Sequence, residues 1–128
     1  MRLALTKDLG AIRAAALARI DQEAAGRLRV LIPSPEIEAI WRRKAEAAQL
    51  VLAARGAGID GAVSSLISAE VGTTAPDAVG VAQAILAKAD ALDLVLAEIE
   101  AWRIKAKAAV RTAQTIAAIE LATSSQAE

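Results

Sequence analysis

The chain has no cysteine, histidine, phenylalanine or tyrosine, and its only aromatic residues are Trp41 and Trp102. Each absence removes a class of chemistry. Without Cys and His the usual zinc and copper ligands, the thiol nucleophile and the imidazole base are missing, which leaves carboxylates, Lys, Arg and hydroxyls. Those remaining groups form no catalytic arrangement. Glu36 and Glu38, like Glu98 and Glu100, are two residues apart on helical segments and so point to different sides, a poor geometry for an acid and base pair. The expectation is that the protein is not an enzyme and uses no metal, cofactor or small-molecule substrate. The lack of cysteine leaves the compartment unread.

Net charge of one sign is also missing. Fifteen basic and fifteen acidic residues balance, so there is no overall electrostatic footprint for nucleic acid. Residues 1–61 carry ten basic and seven acidic groups and residues 62–128 carry five and eight. No uncharged apolar run reaches the ~18 residues that a membrane span requires. The opening MRLALTKDLG places Lys7 and Asp8 inside a short apolar run, unlike the continuous apolar region of a secretory signal.

What the chain does have is alanine, about a quarter of its residues, the best helix former. Its 128 residues suit one domain with a modest core. Leu9, Ile12, Ala16, Ile20, Ala24, Leu28 and Leu31 recur every three or four residues and predict a first helix over about 6–32, stopped by Pro33. Ser34 is placed to cap a second helix over about 35–55, with Pro35 at its first position and Glu36 in its first turn. Gly56 suits the position just after that helix. Asp60 and Gly72 bound a short helix over about 61–71, and Thr73 or Thr74 is placed to cap the next element.

A long helix follows over about 75–113. Ala82, Ala89, Leu96, Arg103 and Val110 share one heptad position, with Ile85, Leu92, Ile99, Ala106 and Ala113 on its partner. A break near Thr112–Thr115 and a short helix over about 115–122 precede the polar tail 124–128. The expected architecture is all-α: a helical bundle in one domain, 1–123, with two N-terminal helices, a short connecting helix and one long C-terminal helix.

Two stretches hold most of the remaining information. EIEAIWRRKAEAA (Glu36–Ala48) and EIEAWRIKAKAA (Glu98–Ala109) nearly repeat, but EIEA sits one residue further from the tryptophan in the first copy. That residue is a ~100° rotation on a helix, which argues against a duplicated site. One reading stacks Trp41 and Trp102 on bases, with Arg42, Arg43, Lys44, Arg103, Lys105 and Lys107 on phosphates; the interleaved acids and the zero net charge weigh against it. The favoured reading packs both tryptophans at the edge of a bundle, under Arg and Lys stems. A third uses a Trp and Arg patch as a protein anchor. The interface candidates are Trp41, Arg42, Trp102, Arg103, Ile99 and Leu96. Arg103, on a heptad core position, is either a paired group in a helical seam or a surface residue beyond its end. GAGIDG (Gly56–Gly61) matches a dinucleotide-binding glycine pattern in letters only, because a helix precedes it where a strand is required.

With the helices placed, RLRVLIPSPEIEAIWRRKAEAAQL (Arg27–Leu50), LISAEVGTT (Leu66–Thr74) and AWRIKAKAAVRTAQTIAAIELA (Ala101–Ala122) resemble small alanine-rich helical proteins encoded among the tail genes of tailed bacteriophages and prophages. The resemblance runs over about four-fifths of the chain. It departs at Ser34 and Trp41, where that family usually has glycine and tyrosine. It carries no catalytic residue, metal or cofactor. It implies a structural protein of the virion tail, at the tail tip, baseplate or fibre attachment region, present in the host cytoplasm during assembly. The partners it implies are other copies of the chain and tail or tail-fibre proteins. A fibre assembly chaperone, absent from the mature particle, is the alternative within the same resemblance, and a nucleic-acid-binding helical module is the alternative outside it.

Overall fold

The computed structural model describes residues 2–54 and 61–124, with side chains for 8–54 and 65–124. Five helices account for nearly all of it: α1 Arg2–Leu31, α2 Pro35–Ala53, α3 Gly61–Ser68, α4 Ala78–Thr112 and α5 Ile116–Ser124. The protein is an all-α helical bundle, with no strand among the described residues beyond an isolated bridge between Val71 and Ala75.

The helix ends follow local chemistry. Ser34 is extended and its hydroxyl accepts from the Ile37 N–H at 3.1 Å, with Pro35 at the first helical position, so α2 starts where the punctuation predicts. Thr115 caps α5 in the same way, accepting from the Ala118 N–H at 3.0 Å.

Three boundaries differ from expectation. The first helix begins at Arg2 instead of near 6. The third helix stops at Ser68 instead of near 71, and the chain then folds back on itself. Glu70 O accepts from the N–H groups of Thr73 and Thr74, and Gly72 N–H donates to Ala75 O at 2.7 Å. Gly72 has φ +90°, a left-handed conformation that glycine adopts without penalty. The long helix starts at Ala78 and is capped by Asp77, whose Oδ1 accepts from the Gly80 N–H at 2.7 Å, not by Thr73 or Thr74. A carboxylate at that position is a strong cap and also complements the helix dipole. Thr74 instead donates its hydroxyl to Glu70 Oε1 at 2.6 Å. The expected roles of Gly56 and Asp60, and most of GAGIDG, lie outside the described residues.

The chain packs as two compact units, one of residues 1–30 with 96–128 and one of residues 31–95. In the first, α1, the C-terminal part of α4 and α5 enclose Ala16, Ile20, Ala106, Val110, Ala113, Ile119 and Ala122. In the second, α2, α3 and the start of α4 enclose Ala47, Ala48, Val51, Ile67, Val81, Ala82 and Ile85. Alanine lets the helices approach closely but buries little area per residue, so both cores are thin and rest on a few Ile and Val side chains.

Candidate protein-docking surface

Helix α2 carries one apolar face whose two halves have different fates. Ala47, Ala48 and Val51 on its C-terminal half are buried against Ile67, Val81, Ala82 and Ile85. On its N-terminal half Ile37, Ile40 and Trp41 are 37%, 46% and 37% exposed. At 100° per residue these three occupy an arc of about 100° that continues the buried face. A helix face of that width in a globular unit is ordinarily covered.

Lys44 stands at the junction. Its ammonium is ion-paired with the carboxylate of Glu70, which follows α3. Lys44, and then the Thr74 hydroxyl, hold the Glu70 carboxyl below its ordinary range. Around the open half, charge is ordered along the helix: Glu36 and Glu38 lie toward the N-terminus, Arg42 and Arg43 follow the tryptophan, and Arg42 reaches back to Glu38 at 2.8 Å.

The second tryptophan has a different environment. Trp102 is half-buried beside the first unit's core, and the Arg27 guanidinium from α1 lies 5.1 Å from its ring centroid, within cation–π range. Its indole Nε1 is buried with no hydrogen-bond partner. Next to it Arg103 is neither buried nor free. It donates to Glu100 at 2.9 and 2.7 Å and to Asp21 of α1 at 3.1 Å, while Lys107 donates to both Asp21 oxygens at 3.0 and 2.8 Å. The two bases, Lys107 foremost, depress the Asp21 carboxyl, and Arg103 depresses Glu100. Arg103 in turn is held more firmly protonated by Glu100 and Asp21. Arg103 is thus ion-paired at the solvent-facing rim of the contact between α1 and α4, a position that combines the pairing of one reading with the partial exposure of the other.

Comparison with known protein families, curated proteins and solved structures finds no match to this chain. Its surface must be read from its own residues.

The six interface candidates separate under that reading. Trp41 and Arg42 are exposed and adjacent on α2. Ile99 is buried at 6% exposure, Leu96 and Trp102 are half-buried, and Arg103 is occupied by its acids. Trp41 belongs to one unit and Trp102 to the other. Ile37 and Ile40, outside those six, complete the open face. The signal for them is the α2 stripe itself, which is longer than the partner residues that cover it.

Four of the six bases that the nucleic-acid reading requires, Arg42, Lys44, Arg103 and Lys107, are engaged with carboxylates, and Trp102 has its ring under Arg27. Among the described residues no three acidic groups converge as a metal site would require, and no helix is long and apolar enough to cross a membrane. The near-repeat therefore produces one open aromatic patch and one covered one, from the same residue alphabet in different packing.

Proposed function

We propose that this protein is a structural subunit that works through helix packing, and that the open Ile37, Ile40 and Trp41 face of α2 is its working surface. The observation that carries the proposal is the exposure of these three side chains on a face whose other half is fully closed. Large apolar and aromatic side chains flanked by arginine are the residue types that dominate protein–protein contacts. The thin alanine cores point the same way, because association adds buried area that each unit lacks. The resemblance of Arg27–Leu50, Leu66–Thr74 and Ala101–Ala122 to tail-encoded helical proteins supplies the setting: the tail of a bacteriophage virion, at the tip, baseplate or fibre attachment region, with further copies or a tail-fibre protein as partner.

A subunit and an assembly chaperone differ in where the chain ends up. Quantitative mass spectrometry of purified particles and of the producing-cell lysate separates them. The expected result is this chain at a fixed small-integer ratio to a known tail protein in the particles. Its presence in the lysate alone would overturn the virion role and leave the chaperone reading. Ile40→Asp adds a second check: helical content is unchanged, since Ile40 lies outside both cores, while incorporation into particles falls at least tenfold.

A further inference from the structure

We infer that the occupant of the open α2 face is the same face of a second copy, the two α2 helices crossing antiparallel about a two-fold axis near Ala39 and Ile40. This rests on the proposed docking role of that face and names its partner.

Charge order along the helix selects this partner and this orientation. Along Glu36-Ile37-Glu38-Ala39-Ile40-Trp41-Arg42-Arg43 the acids come before the apolar centre and the bases after it. Glu36 and Arg43 are seven residues apart, so they lie on one flank of the apolar arc; Glu38 and Arg42 lie on the other. In an antiparallel pair related by a two-fold axis, equivalent flanks meet and the order of residues is reversed. Glu36 of one copy then faces Arg43 of the other, twice, and Glu38 faces Arg42 in the same way. A parallel pair would set acid against acid and base against base. Glu36 and Arg43 are both exposed and available for this exchange, whereas the Glu38 and Arg42 pair within one helix can be shared across it. At the centre Ile40 meets its own counterpart and Ile37 of each copy faces Trp41 of the other, an aliphatic and aromatic cluster that needs no polar partner beyond the indole N–H at its rim. Lys44 and Glu70, already paired with each other, bound the patch at its C-terminal end and leave it short. Three side chains a side fall well below the about 800 Å² per partner of a standard interface, so association is weak, with a dissociation constant on the order of 10–100 μM.

The test is sedimentation equilibrium of the full chain from about 5 to 300 μM, with helical content checked by circular dichroism for every variant. The wild type is expected to show a monomer and dimer equilibrium that weakens as salt is raised. Arg43→Glu sets acid against acid at both ends and is expected to raise the dissociation constant about tenfold. Glu36→Arg in the Arg43→Glu background restores opposite charges across the axis and brings association back to within about threefold of wild type. Ile40→Asp abolishes it. Association lost in Ile40→Asp yet indifferent to both charge variants would overturn the antiparallel pairing while keeping the face as a docking surface. A wild-type monomer throughout would overturn self-pairing, and the particle ratio described above then decides separately whether the face serves a tail protein.

Discussion

Replacing Ile20 with alanine is the sharpest test of the claim that few side chains carry the first unit. Ile20 is fully buried among Ala16, Ala106, Val110, Ala113, Ile119 and Ala122. Removing three carbon groups loses about 2.4 kcal/mol of transfer free energy at about 0.8 kcal/mol each. A cavity term is added because the site collapses only in part. Four of the six other buried residues of the cluster are alanines, which have no rotamer with which to fill the space, and the larger Leu9, Ile12, Leu17 and Trp102 pack at its edge, so a further 1–1.5 kcal/mol is expected, roughly 3.5–4 kcal/mol in all. For a chain of this length about 1 kcal/mol moves the melting temperature by about 3–5 °C, which gives a shift of roughly 10–20 °C. The assay is urea and thermal unfolding followed by circular dichroism at fixed protein concentration, with Ile119→Val as a milder control expected to cost about 1 kcal/mol. A loss below about 1.5 kcal/mol for Ile20→Ala would refute the reasoning, since it would mean that the surrounding side chains close over the gap or that the unit does not depend on one of its two largest fully buried side chains.

Other consequences can be read from single contacts. Gly80 lies in the first turn of α4, where alanine normally stabilises by up to about 1 kcal/mol, but its Cβ would sit 2.9 Å from the Ala75 Cβ and 3.1 Å from Asp77 Oδ1. Gly80→Ala is therefore expected to destabilise by about 1 kcal/mol net in chemical denaturation; a stabilised variant would show that the Ala75 turn yields freely. The carboxyls of Asp21, Glu70 and Glu100 all titrate below their ordinary values in the folded chain. A depressed carboxyl stabilises above its unfolded value and loses that contribution as pH falls through the folded one. Melting temperature should hold from pH 7 to about 5 and then decline toward pH 2–3. The decline should be shallower when Asp21→Asn is combined with Glu70→Gln, and an identical slope would remove these pairs as its cause. Trp102→Phe keeps an aromatic face under Arg27 and removes the unpartnered indole N–H, so its stability should stay within about 1 kcal/mol of wild type by urea titration. A loss above about 2 kcal/mol would mean that the indole nitrogen has a partner in solution.

The helices were legible because their signals are local. Ser34 with Pro35, the glycine at position 72 and the break before Ile116 are properties of neighbouring residues, and they fall where the chain turns. The α4 cap was misplaced because three adjacent residue types, Thr73, Thr74 and Asp77, can each cap a helix, and the turn that Glu70 organises assigns that work to the aspartate. Contacts between distant residues were not legible. Arg13 donates to Val110 O at 3.2 Å and Ala113 O at 2.6 Å, holding a carbonyl of the last turn of α4 and that of the residue just after the helix, and nothing near Arg13 in the chain predicts a partner about a hundred positions away. Asp21 is the same case for Arg103 and Lys107. The heptad pattern marks Arg103 as special, but only the path of α1 supplies the acid that settles its role.

The candidate surface divides along the same line. Periodicity places Ile37 and Trp41 on the inward face of α2, and the sequence holds no record of where the covering residues run out. From the tryptophan onward Trp41 and Trp102 share one local pattern, while the acids before them are offset by one residue; Arg27 over one ring and the open half-face around the other are differences made by packing.

Contact of the Ile37, Ile40 and Trp41 face with another chain can be read by placing a photo-crosslinking residue at position 40, with position 87 on the exposed side of α4 as control, in cells assembling the particles. The predicted result is a crosslink from position 40 to a second copy of this chain or to an identified tail protein, and none from position 87. Equal and diffuse labelling from both positions would contradict the claim.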